Sequence, residues 1–185
     1  MAAKIPAIET LSKEVQALYD VVNEEPDLPC VLVSTSFLDQ CLASLLERHF
    51  IKSNTAKSML DPRGGSLGTF SARADLCYCL GLIPKGLFQN LRTIGEIRNR
   101  FAHSYLSLSF DESEIRKFCE SLTLPGAVRK LIKDATGESE EMVNFWATLT
   151  NPRARFTVCV AMMANRLLLT GLATERRARK EKGWN

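Results

Sequence analysis

Apolar residues recur three and four positions apart in one segment after another, and this spacing restricts the chain to packed helices. Ile8, Leu11, Val15, Leu18 and Val22 make one such stripe, closed by Glu25-Pro26. That period places every member on one face of an α-helix, a face that must be buried against a neighbour. A longer apolar run follows Pro29, through Val31, Leu32, Phe37, Leu38, Cys41, Leu45, Leu46 and Phe50, and reads as a central buried helix. Ser71 to Ile83 reads as a third, with Ala72, Leu76, Cys79, Leu80 and Ile83 inward and Pro84-Lys85-Gly86 as a tight connection after it. A fourth runs from about Leu87 to Ser104, and a fifth opens with Asp111-Glu112-Ser113-Glu114 and carries Ile115, Phe118, Cys119 and Leu122. A shorter helix is expected after Pro125 through Val128, Leu131 and Ile132, and a polar stretch spans 136–141. Phe156 to Leu172 is the last and most apolar helix, with Pro152 suited to its first turn.

Alternation of apolar and polar residues occurs only over Tyr105-Leu106-Ser107-Leu108-Ser109-Phe110, and that stretch has no second strand to pair with. The expected fold is therefore all-α, one bundle of about six to seven helices over residues 1–185. The length and the 45% hydrophobic content suit one core and one domain. No leader-like segment and no uninterrupted apolar run of about 18 residues stands out, so a cytoplasmic protein is expected.

Charge narrows the classes of partner. From Glu175 to Lys182, five cations face two acids and account for the whole net charge of +3, leaving the rest of the chain neutral. A general DNA-coating surface is not supported. The basic tail over 174–185 is either a solvated helix end or a nucleic-acid contact through Arg176, Arg177, Arg179 and Lys180. The six cysteines lie scattered in apolar stretches and read as reduced core residues. Cys77 and Cys79 would lie about 200° apart on a helix, and the only histidines are His49 and His103, so neither a metal site nor a cofactor is expected. Asp61-Pro62-Arg63-Gly64-Gly65 is a loop without the residue order of a phosphate-cradling turn.

Arg98-Asn99-Arg100-Phe101-Ala102-His103 carries the most explicit chemistry. Leu87, Leu91, Ile94, Arg98, Phe101 and Tyr105 share a 4-3-4-3-4 spacing, which puts Arg98 on an apolar stripe, where it needs a partner. Arg98 and His103 lie roughly 140° apart around the helix, so one helix cannot focus both on one atom. Gly95 and Ala102 between them allow close approach of another backbone or a ligand, and a homodimer meeting at this helix end is the expected arrangement. The alternative is a structural arginine and a histidine interacting with the helix C-terminus.

Gly65-Ser66-Leu67-Gly68-Thr69-Phe70-Ser71-Ala72-Arg73, followed by Leu76, Tyr78, Leu80, Gly81, Leu82 and Ile83, resembles the pattern of the mannitol operon repressor family, over about residues 30 to 120. The resemblance implies an intracellular regulator of transcription acting through protein contacts, with Gly65, Leu67, Gly68, Ser71, Arg73, Gly95 and Ala102 bordering a partner or ligand cleft. The Arg98 to His103 segment also resembles the R-x4-H signature of the HEPN superfamily of helical proteins. That resemblance implies metal-independent endoribonuclease chemistry, of a toxin or defence component, in a dimer cleft containing Arg98, Asn99 and His103. In such a cleft a histidine exchanges protons near neutral pH and an arginine stabilises charge on phosphorus. Direct operator binding is the least supported reading, because no helix presents a basic, polar recognition face. Arg73 is expected to be paired with a carboxylate other than Asp75 or with helix-end carbonyls. The Gly64 to Phe70 segment is expected to pack beside the motif helix.

Overall fold

The computed structural model describes residues 5–104, 108–123 and 149–174, and every described element is helical. The helices are α1 (Ile8–Glu24), α2 (Asp27–His49), α3 (Asn54–Met59), α4 (Phe70–Cys79), α5 (Lys85–His103), α6 (Ser113–Ser121) and α7 (Pro152–Ala173). The helix expected after Pro125, the polar stretch 136–141, Tyr105 and the basic tail with Arg176, Arg177, Arg179 and Lys180 all lie outside the described residues.

Helix α2 is the axis of the bundle. It packs against α1, α4, α5 and α7, and every residue from Cys41 to Leu46 is buried. The helix starts at Asp27, ahead of Pro29, because a proline in the first turn removes only an N–H that has no intrahelical acceptor. Helix α7 lies against α2 and α1, with Pro152 in its first turn and the Asn151 side chain accepting from Ala154 N at 3.0 Å. Gly171 admits the α1 side chain of Ile8, whose Cδ1 would stand 2.5 Å from a Cβ there. Both α2 and α7 are long and apolar enough to cross a membrane by length and composition, although polar residues such as Asp39 and Arg166 interrupt their apolar runs. Here their apolar surface is spent in the core: 61% and 50% of the two spans is buried inside the protein.

The second half of the bundle hangs from α5, which contacts α2, α4 and α6. Phe101 of α5, Phe110 and Phe156 of α7 form a chain of tilted rings with centroids 5.5 and 5.2 Å apart. Asn90 binds the backbone of Thr123 reciprocally, donating from Nδ2 to its carbonyl at 2.8 Å and accepting its N–H at 3.0 Å. Asp27 joins three segments, accepting from Arg153 Nη1 at 2.5 Å and from Phe110 N at 3.0 Å.

Two expectations between α2 and α5 need correction. No helix is expected ahead of the Asp61 to Gly65 loop, where the apolar pattern lapses, yet α3 lies there, capped by the Ser53 side chain accepting from Ala56 N at 3.1 Å. Six residues are too few to display a period. Helix α4 ends at Cys79 and not at Ile83, because Gly81 takes φ +68 and turns the chain back. Gly81 N donates to Tyr78 O and Leu82 N to Cys77 O, the paired bonds of a Schellman ending. The inward face of α4 is also shifted: Arg73, Ala74 and Cys77 are buried, while Cys79 and Leu80 are exposed.

Candidate functional site

Two groups of residues on either side of the α4–α5 pair contain the positions singled out by sequence. The first is the turn from Leu60 to Thr69. Gly65 N donates to Asp61 O at 2.8 Å, Leu67 N to Met59 O at 2.8 Å and Gly68 N to Gly65 O at 2.9 Å. A Cβ on Gly68 would lie 2.7 Å from Asp61 O, and one on Gly65 would collide with the carbonyl oxygens of Met59 and Ser58. The two glycines therefore serve closure of their own turn. Arg63 clasps Asp61 at 3.2 Å, and its guanidinium and backbone N–H hold that carboxyl below its ordinary value.

Arg73 anchors this turn to the core. Its side chain is 4% exposed and reaches Asp39 Oδ2 of α2 with Nη1 at 2.5 Å. Nε donates to Leu67 O at 2.8 Å and Nη2 to Leu60 O at 2.9 Å, so one guanidinium ties α2, α4 and both ends of the turn. Asp75 faces elsewhere and meets Arg92 at 3.4 Å. Sequence reasoning left the partner of Arg73 unnamed, although Asp39 is the one acidic residue between Asp27 and Glu47 on the central helix α2. Ser71 is exposed.

The second group is the C-terminal end of α5. The buried face of this helix is Leu87, Asn90, Leu91, Ile94, Ile97 and Phe101, and Arg98 is exposed. The expectation that Arg98 interrupts a buried stripe is therefore overturned. Helix α4 explains why: it begins at Phe70, whose ring lies 3.6 Å from where a Cβ of Gly95 would stand. One turn further along α5, no described helix covers the sector that Arg98 and Ala102 occupy, and the buried side turns toward Ile97 and Phe101. The close approach that Gly95 permits is taken by the ring of the chain's own Phe70. Asn99, Ala102 and His103 are exposed with Arg98. Arg98 Nη1 donates to Asn99 Oδ1 at 3.2 Å, drawing the guanidinium round toward the side where His103 lies. The neighbouring cations are neutralised, Arg92 by Asp75 and Arg100 by Glu114 at 2.8 Å.

Neither group resembles a metal centre; among the described residues no three of His, Cys, Asp and Glu come together. Five of the six cysteines are buried and free, and burial pushes the thiols of Cys41, Cys77 and Cys119 up to about 12 and those of Cys30 and Cys159 to about 11. They are inert core groups at neutral pH. Cys79 is exposed.

The comparison with protein families finds a match to the mannitol repressor model over residues 14–164. No curated protein matches. Among solved structures, a chain in the X-ray structure of the MtlR–HPr complex from Escherichia coli is similar in fold. Its TM-score is 0.60 at 16% identity, covering 83% of this chain and 97% of that one.

Proposed function

Because the chain belongs to the mannitol repressor family, we propose that it regulates expression of a mannitol operon through contact with a second protein, in the cytoplasm, and not by reading operator DNA itself. The observation that carries this reading is the family match across residues 14–164, which contain most of the helical body. The solved structure of similar fold is held in a complex with HPr, which makes HPr the partner to test. Electrostatics argues against direct DNA reading. Apart from the tail the charges balance, and two of the exposed arginines on α5 are already paired with carboxylates.

Titrating the full chain with purified HPr and, separately, with operator DNA at about 0.15 M salt tests the reading. Saturable binding of HPr with only salt-sensitive, sequence-independent binding of DNA is expected. Tight, sequence-specific operator binding by the chain alone overturns it.

A second reading is supported by one observation, the shared exposure of Arg98, Asn99 and His103. In that reading two copies of the chain meet across the uncovered end of α5 and cleave RNA without a metal, with His103 moving the proton and Arg98 stabilising the charged phosphorus. Incubation with mixed single-stranded RNA in EDTA tests it, with His103→Ala as the control and sedimentation reporting the dimer. Cleavage that survives in the control, or a purely monomeric chain at about ten micromolar, removes this reading.

A further inference from the structure

We draw no further inference here: the strongest candidate, the apolar groove between the end of α2, the helix α3 and the end of α4, has no lysine, arginine or carboxylate among its lining residues to select an occupant, and nothing in the structure shows what covers it.

Discussion

Replacing Arg73 with methionine removes a cation that four segments depend on while keeping most of the side-chain volume. The guanidinium is 4% exposed and its partner Asp39 29% exposed, with an ion pair of 2.5 Å. Breaking a buried pair from one side costs about 3–5 kcal/mol, because the remaining charge has lost its compensation. Water reaching Asp39 moves the pair toward the lower end of that range. The carbonyls of Leu60 and Leu67 lose their donors as well, at about 1 kcal/mol each if they stay buried. Asp39 Oδ1 is already buried without a hydrogen-bond partner, so the carboxylate has little left to hold it. The expected loss is about 3–4 kcal/mol. For a chain of this size that lowers the midpoint of thermal unfolding by roughly 6–16 °C.

Calorimetry and urea titration of Arg73→Met measure this directly. Arg73→Met combined with Asp39→Leu should recover much of the loss, since removing both charges leaves no uncompensated ion. A single variant melting within about 2 °C of wild type refutes the structural assignment, because such a shift is worth only about 1 kcal/mol. If it also loses HPr binding, Arg73 belongs to the docking machinery.

Glycine substitutions separate three backbone roles: Gly81→Ala, forced to φ +68, should cost about 1 kcal/mol. Gly65→Ala should cost about 2–3 kcal/mol by collision with backbone carbonyls, whereas Gly86→Ala in α5, with nothing within 4 Å, should stabilise by about 0.5–1 kcal/mol in denaturant melts. A thiol reagent at pH 8 should label Cys79 rapidly and the five buried cysteines only after unfolding; rapid labelling of a second thiol contradicts the burial. The same buried thiols make stability fall with alkali. Unfolded cysteines release protons near 9.0, whereas the folded ones hold theirs to about 11–12, so the native state is fully favoured below pH 9 and loses that advantage as pH rises toward 12. Cys41→Ala should flatten this decline by about one proton in pH-dependent urea titrations.

The helices were legible wherever they are long and one-sided. Residues Ile8–Glu24 and the body of α5 follow directly from their 3.6-residue period, and the family-like pattern around Gly65 to Ile83 pointed to the correct family. Short range and tertiary contact explain the failures. Helix α3 is too brief to show a period, and the end of α4 is set by one glycine conformation that the apolar pattern reads through. Arg98 failed for a different reason: its angular position matches Leu87 and Leu91, yet burial depends on whether a neighbour extends that far, and α4 begins too late to cover it. Arg73 shows the converse. A charged residue occupies the buried face of α4 because Asp39 and two carbonyls meet it there, and no propensity scale reports a partner 34 residues away.

The pairing of Arg73 also bears on the two thiols of α4. Leu80, seven residues after Arg73, stands about 20° from it around the helix, so the exposure of Leu80 comes from its place at the end of α4 and not from the helix's rotation. Ala72 and Leu76 are half-buried against the core, and Cys77, one turn after Arg73, is buried while Cys79 is exposed. If the rest of the packing fixes α4, the variant Arg73→Met with Asp39→Leu keeps Cys77 protected from a thiol reagent and Cys79 quick to label. Rapid labelling of Cys77 in that variant means that the ion pair itself holds α4 against α2.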